Sequence, residues 1–310
     1  MGTVIGIDMG GTFLKAGRCR NGEIEEFREI PTEAEKGPDA VVNNILRIIS
    51  ELALEDTIAV GIGAPGMVDT TKGIVRYPPN LPGWNEFPLG KILSEKTGLP
   101  VYVGNDANLY ALGEWRWGAG QGARYLVVLT LGTGVGGGII IDGKLLVGAN
   151  FAASEVGHIT ISSDGPYCKC GNRGCVEAFL GRDYLVTFAR RQIQKWRGHT
   201  ELSEDAEITP KLLYELALKD DELALFVWRE YGRMLGIAIV NYVHIIDPEI
   251  VVIGGGIANA WDLFINSTLE EVRSRLMSFP SRKLEIKKGI LGNEAGIYGA
   301  AYLAMSEGNV

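Results

Sequence analysis

The sequence predicts an α/β protein built on a duplicated unit, and three observations carry that prediction. A strand, a glycine turn, a second strand, an Asn-Gly pair and a third strand open the chain. The same succession, with Asp-Gly at the hairpin, returns from Tyr125. Helical patterns separate short apolar strands in both halves, the alternation expected of sheets covered by helices. The 310 residues are 46% hydrophobic and 22% charged, enough apolar surface for two packed domains and unlike a disordered chain.

Val4 to Asp8 is a short apolar strand, followed by the turn Met9-Gly10-Gly11-Thr12 and a strand from Phe13 to Cys19. Asn21-Gly22 then leads into a strand ending at Ile30. Asn-Gly accepts positive φ at both positions, as a two-residue hairpin requires, so the chain opens as a three-stranded meander. Pro38 suits the first turn of a helix, and Val41, Val42, Ile45, Ile48, Ile49 and Leu52 recur behind it with helical spacing. Ile58 to Ile62 reads as a buried strand ending in Gly63-Ala64-Pro65-Gly66, and Tyr77 to Trp84 as a loop rich in Pro and Gly. A helix fits Leu89 to Lys96, and Val101 to Val103 is a strand ending at Gly104-Asn105-Asp106. Ala107 to Trp115 reads as a helix, for which Asp106 has the chemistry of an N-cap. Gly113 to Gly122 is a Gly-rich connection with the composition of a hinge.

In the second half Tyr125 to Thr130 is a strand, Gly132 to Gly138 a glycine turn and Ile139 to Ile141 a strand. Asp142-Gly143 is the hairpin, and Lys144 to Val147 continues the meander. Glu222 to Ile246 reads as one long helix, Ile250 to Ile253 as a strand running into Gly254-Gly255-Gly256, and Gly296 to Met305 as a last, Ala-rich helix.

The glycine turns invite two readings that fail. Gly132 to Gly137 matches the dinucleotide fingerprint, but that motif needs a helix after the glycines, and Ile139-Ile140-Ile141-Asp142-Gly143 is a strand and a hairpin. Gly138 to Lys144 matches most of a P-loop, but Leu145 stands where Ser or Thr holds the metal. A glycine turn between two strands still presents backbone N–H groups to a phosphate, and Thr12 or Thr133 adds a hydroxyl. Either turn alone is equally well a plain tight hairpin; the pair together favours a polyphosphate.

Glu155 to Glu177 concentrates the metal-ligating chemistry. Cys168, Cys170 and Cys175 sit among glycines, with His158 upstream of them. Three thiolates and an imidazole complete a tetrahedral shell for Zn2+ and leave no open position, which makes such a metal structural. Buried cysteines beside an ordinary histidine are the plainer alternative. A disulfide is poorly served by thiols one residue apart, and nothing marks the chain as secreted. Glu155 and Glu177 bracket the cluster, and the metal would frame them.

Composition excludes several classes. The net charge of −8 gives no bulk electrostatic case for nucleic acid. The N-terminal stretch MGTVIGIDMGGT has no cationic region or cleavage site, and the apolar run from Leu126 to Ile141 is broken by glycines and too short to span a bilayer. The expectation is a cytoplasmic protein with no membrane partner.

Asp8-Met-Gly-Gly-Thr-Phe-Leu-Lys15 resembles the first phosphate loop of the ROK family of sugar kinases and repressors. Gly132 to Gly138 resembles its second phosphate loop, Glu155-Val-Gly-His158 its Glu-x-Gly-His motif, and Cys168 to Cys175 its zinc motif. The motifs come in the family's order over nearly the whole chain, and the zinc motif joined to Glu-x-Gly-His is highly specific. The resemblance implies a duplicated actin/hexokinase-like (ribonuclease H-like) two-domain α/β fold with a central cleft. It places a small N-terminal domain at 1–115 plus 297–310 and a larger one, with the zinc motif, at 116–296. It implies ATP-dependent phosphorylation of a hexose, glucose first, with mannose, fructose and N-acetylhexosamines open because Ala178-Phe-Leu-Gly-Arg-Asp-Tyr-Leu185 departs from many glucokinases after Glu177. Carried over by motif, Asp106 is the catalytic base, and Gly66, Asn80, Asn105, Glu155, His158 and Glu177 bind sugar. Gly10, Gly11, Thr12, Lys15 and Gly132, Thr133, Gly134, Val135, Gly136, Gly137 and Gly138 grip the phosphates of ATP. Asp8 faces Mg2+ through water, and Gly254, Gly255 and Gly256 flank the adenosine. His158, Cys168, Cys170 and Cys175 hold Zn2+, and the chain forms a dimer or tetramer. The family's repressors carry a helix-turn-helix domain ahead of the kinase-like part; here the phosphate strand begins at Val4, which favours the kinase, with the sugar-responsive regulator as runner-up.

Overall fold

Thr3–Met9 (β1), Phe13–Arg20 (β2) and Glu23–Pro31 (β3) form the expected meander in the computed structural model, which describes residues 2–76, 78, 81–278 and 283–310. Asn21 and Gly22 close its second hairpin at φ 52° and 87°, the left-handed pair that a two-residue turn demands. Pro38–Leu52 (α1) buries Val41, Val42, Ile45, Ile48, Ile49 and Leu52. Thr57–Ala64 (β4) runs parallel to β1. Ile58, expected in the core, is 55% exposed. The register slips there, with Thr3 opposite Thr57 but Val4 opposite Ala59, so Ile58 is the extra residue and turns outward.

Met67–Asp69 (β5) and Ile74–Arg76 (β6) make a small antiparallel ladder, followed by Leu89–Thr97 (α2), Val101–Asn105 (β7) and Asp106–Arg116 (α3). β7 lies parallel to β4, which gives the first sheet the order β3-β2-β1-β4-β7. Leu126–Leu131 (β8), Val135–Ile141 (β9) and Lys144–Leu145 (β10) begin the repeat. Glu177–Leu180 (α4), Arg182–Ile193 (α5), Pro210–Ala217 (α6) and Glu222–Ile246 (α7) follow, then Ile250–Gly254 (β11), Trp261–Arg275 (α8), Glu285–Lys288 (β12) and Ala295–Met305 (α9). The second sheet has the order β10-β9-β8-β11-β12. Each sheet therefore sets its third, second, first, fourth and fifth strands side by side, the topological mark of a duplicated α/β unit.

Two readings of the repeat need correction. The glycine turn is confined to Gly132–Gly134, because β9 begins at Val135 and takes Gly136, Gly137 and Gly138 into the ladder. A Cβ on Gly138 would lie 2.5 Å from the Cβ of Ala111, so a close approach by α3, not a turn, calls for glycine there. The strand expected over Lys144 to Val147 keeps only Lys144 and Leu145.

The chain divides into Met1–Val128, Gly137–Ser154 and Ile290–Val310 as a first unit, and Leu129–Gly136 with Glu155–Gly289 as a second. α9 packs on the first sheet through glycines: a Cβ on Gly6 would come 2.2 Å from the Ile297 carbonyl, and one on Gly61 1.8 Å from that of Ala300. The Gly113–Gly122 connection lies wholly inside the first unit, so it is not where the chain passes between units. The buried Glu114 carboxylate ties it down, accepting the N–H groups of Ala119 at 2.9 Å, Ile290 at 3.3 Å and Leu291 at 3.0 Å. In the second unit α7 buries Trp228, Tyr231, Leu235 and Ile239, and its Gly232 lets the Phe264 carbonyl of α8 approach. Among the described residues, no helix is long and apolar enough to cross a membrane.

Candidate active site

In the first unit the turn Gly10-Gly11-Thr12 joins β1 to β2, and its shape is set by β3 and the residue beyond it. The Gly10 N–H donates to Phe13 O at 3.0 Å, the Thr32 hydroxyl to Gly10 O at 2.6 Å, and the Thr32 N–H to Thr12 O at 2.9 Å. Thr32 is fully buried, and no motif singles it out in the sequence. Asp8, next to last in β1, stands opposite Lys15 on β2. Burial pushes its carboxyl up to about 6, against the pull of the Lys15 ammonium. Gly296, in the first turn of α9, leaves the room this carboxylate occupies, since a Cβ there would fall 2.8 Å from Asp8 Cγ. Lys15 reaches Glu29 at 3.9 Å.

Asn105 and Asp106 stand where β7 passes into α3, and the structure divides their labour differently from the sequence reading. Asn105, not Asp106, is the N-cap: its side-chain oxygen accepts the Asn108 N–H at 3.0 Å. Asp106 is the first helical residue, and its Oδ1 accepts the Ala107 N–H at 2.8 Å and the Asn105 Nδ2–H at 3.1 Å. The same Asn105 amide donates to Gly66 O at 3.0 Å, and Gly66 adopts φ 83°. Asn105, Asp106 and Gly66 are thus brought together as one group, while Asn80 lies outside the described residues.

In the second unit His158, Cys168, Cys170 and Cys175 converge, with their ligand atoms all within 4.8 Å of one another. Cys168 Sγ lies 3.7 Å from His158 Nδ1, and Cys170 Sγ 3.7 Å from Cys175 Sγ. Zinc–sulfur bonds of about 2.3 Å at the tetrahedral angle set two thiolates about 3.8 Å apart, so these edges suit a bound zinc ion. The glycines of the motif are there for the backbone: Gly171 and Gly174 have φ 93° and 66°, and a Cβ on Gly174 would strike the Ser162 carbonyl. Burial pushes the Cys168 thiol up to about 12 and raises that of Cys175, while the Asn172 N–H lowers the exposed Cys170. A cation must therefore displace protons to bind here.

Glu177 opens α4 two residues after Cys175, with Oε1 3.6 Å from Cys168 Sγ. Its Oε2 accepts the Val135 N–H at 3.0 Å, which commits that N–H to a carboxylate. Glu155 precedes a single 3-10 turn, Val156–His158, and its carbonyl accepts the His158 N–H at 3.0 Å. Gly157 in that turn faces the Val135 carbonyl at 2.0 Å from an added Cβ, and Tyr242 from α7 donates its hydroxyl to Val156 O at 2.6 Å. Tyr242 supports the Glu155–His158 turn from a distance in sequence that no local pattern reveals. Gly255, at φ 82°, crosses the end of β8 with a would-be Cβ 2.4 Å from Leu131 O; Gly254 ends β11 and Gly256 begins a 3-10 turn. A cavity of about 680 Å³ lies in this unit, lined by Tyr167, Phe179, Phe188 and Arg191 among others. None of the described residues assigned above to sugar, phosphate or metal lines it.

The model of the ROK family matches residues 4–307. The chain is 37% identical over 305 residues to a glucokinase of Thermotoga maritima, covering 96% of each chain. A ROK family glucokinase from Streptomyces griseus, solved in complex with glucose and AMPPNP, has a TM-score of 0.83 and 34% identity, with 98% of this chain and all of that one covered. A xylose repressor of Caldicellulosiruptor bescii is 31% identical over 99% of this chain and 79% of its own length.

Proposed function

The chain belongs to the ROK family, and we propose that it is an ATP-dependent glucokinase that phosphorylates the 6-hydroxyl of glucose. The observation that carries this reading is the end-to-end likeness to glucokinases, over 96% of both chains at 37% identity.

A sugar hydroxyl is a poor nucleophile at neutral pH. Asp106 accepts its proton as the oxygen attacks the γ-phosphorus and the bond to the bridging oxygen breaks, releasing ADP. The Ala107 N–H and the Asn105 amide hold Oδ1 of that carboxylate, so it is oriented before substrate arrives. Asn105 also ties Gly66 to the same group, which supports a sugar-binding role for both, and Asn80 would join them. Glu155, His158 and Glu177 accept or donate to further hydroxyls. Nδ1 is the imidazole nitrogen that faces Cys168; were it to hold zinc, Nε2 would carry the proton and could donate it to a hydroxyl. The donor set and its spacing fit structural zinc, which His158, Cys168, Cys170 and Cys175 would hold.

Mg2+ bound with ATP supplies neutralisation of charge on the transferring phosphoryl group. Asp8 would face it through water. Gly10, Gly11, Thr12 and Lys15 of the first unit, and the Gly132–Gly138 segment and Gly254–Gly256 of the second, would hold the nucleotide. The reading extends to a cytoplasmic dimer or tetramer, which sedimentation at enzyme concentration tests.

A coupled assay with ATP, Mg2+ and a panel of glucose, mannose, fructose and N-acetylhexosamines is the direct test. Glucose should turn over fastest. A folded protein inactive on the whole panel sinks the kinase, and specific retardation of operator fragments in a gel shift would replace it with the regulator, against the −8 net charge.

A further inference from the structure

Glu177 has a second task, visible in what its two oxygens touch. Oε2 accepts the N–H of Val135, the first residue after the Gly132–Gly134 turn, at 3.0 Å. Gly134 exists as glycine against this same oxygen, because a Cβ there would lie 2.3 Å from Oε2. The segment that carries Glu177 holds the other end of the turn too: the Arg182 N–H donates to Gly132 O at 3.0 Å. On its other side Glu177 belongs to the cysteine knuckle. Oε1 lies beside Cys168 Sγ, and the Cys175 carbonyl accepts the Ala178 N–H at 2.9 Å, so the last cysteine starts the helical turn that aims the carboxylate. All of these residues lie within the second unit.

We propose that Glu177 is a positioning residue for the second glycine turn, and that through it the cysteine knuckle sets the affinity for the nucleotide as well as the sugar. The inference rests on the reading that this turn grips phosphate. Turn N–H groups bind an anion only while they converge, and within the turn itself only the Gly132 N–H to Gly134 O hydrogen bond, at 3.0 Å, helps to keep them so. Glu177 and Arg182 pin both ends of the turn. Metal at the knuckle would fix Cys175 and hence the start of α4; without it Glu177 loses its aim and the turn loses its only charged fastening among those described, keeping the Arg182 N–H and its own Gly132 N–H to Gly134 O bond.

The experiment is calorimetric titration of the full chain with Mg–ADP in the absence of sugar. Glu177→Ala removes the acceptor, and Gly134→Ala displaces the carboxylate without altering it. Glu177→Gln keeps an oxygen for the Val135 N–H while its amide faces Cys168. Loss of one charge-assisted hydrogen bond is expected to weaken Mg–ADP about tenfold in both alanine variants. Glu177→Gln should stay within about twofold of wild type, although it too loses the charge used for sugar. Metal removal with 1,10-phenanthroline followed by dialysis should weaken Mg–ADP similarly, and added Zn2+ should restore it. Should Glu177→Ala misfold, Gly134→Ala decides the matter alone. Wild-type affinity in either alanine variant, equal weakening in Glu177→Gln, or an unchanged Kd in protein shown to be metal-free would each overturn the proposal. Wild-type protein that binds no Mg–ADP would overturn the kinase reading itself, a different failure.

Discussion

The two glycine turns occupy equivalent places in the two sheets, each between the first and second strands of its sheet, yet they are braced by different physics. Gly10–Thr12 is held by Thr32 through one neutral hydroxyl and one backbone N–H, from the chain that runs on past the adjacent β3. Gly132–Gly134 is held by a charged carboxylate and a helix-starting N–H from the segment Glu177–Arg182, itself shaped by a cysteine knuckle. The first turn needs only its own meander to fold. The second leans on a segment from elsewhere in the chain, and the knuckle that shapes that segment carries the donor set of a zinc site. One motif therefore implies two sensitivities: point changes in the first unit should alter chemistry or local stability, whereas changes in the second should propagate.

The largest expected effect lies in the first unit and tests whether chemistry there separates from folding. Asp106→Asn keeps the shape and leaves Asn105 to cap α3, so melting temperature should barely move while kcat falls by about 10²- to 10⁴-fold at saturating ATP and glucose. Wild-type turnover in a variant of unchanged stability would make Asp106 structural.

Asp8 sharpens the contrast through pH. Its folded pKa of about 6 stands above the ordinary 3.8, so between those values the folded state keeps a proton the unfolded chain has lost. Stability therefore falls as pH rises through that window, by about 3 kcal/mol in all. Asp8→Asn should flatten the slope and make the ligand-free protein more stable at pH 7 while weakening Mg–ATP. Urea midpoints at pH 4 and pH 7 for both proteins read this out, and identical slopes would show that burial of Asp8 carries no cost.

In the second unit, Cys170→Ala should lose the bound zinc and raise the KM for glucose about tenfold or more, because Glu155, His158 and Glu177 lose their frame. Elemental analysis and kinetics on one preparation decide it; a metal-free, fully active variant would erase the difference between the turns. The smallest effect is predicted for Thr32→Val. It removes the hydroxyl on Gly10 O at a cost of about 1 kcal/mol in global stability. A loss as large as that at the knuckle would mean that the first turn is no more self-sufficient than the second.

By itself the sequence determined whatever a few neighbouring residues decide. The Asn21-Gly22 and Asp142-Gly143 hairpins follow from local φ preferences, the long α7 from unbroken helical periodicity, and the cluster of three thiols and an imidazole from one short stretch and the histidine just ahead of it. Local reasoning also placed the helix start within a residue but gave the cap to Asp106, because Asn and Asp cap helices about equally well and only backbone geometry decides that Asn105 does so. Periodicity could not show that Gly136, Gly137 and Gly138 are strand, since what selects glycine at Gly138 is Ala111, a residue on another element. The pairing of Glu177 with Val135, of Glu114 with Ile290 and Leu291, and of Asp8 with the start of α9 all join residues far apart in the chain. Such contacts depend on where whole elements come to rest, and the energy that places those elements is spread over many buried side chains, so only the tertiary structure decided which carboxylate would meet which backbone N–H.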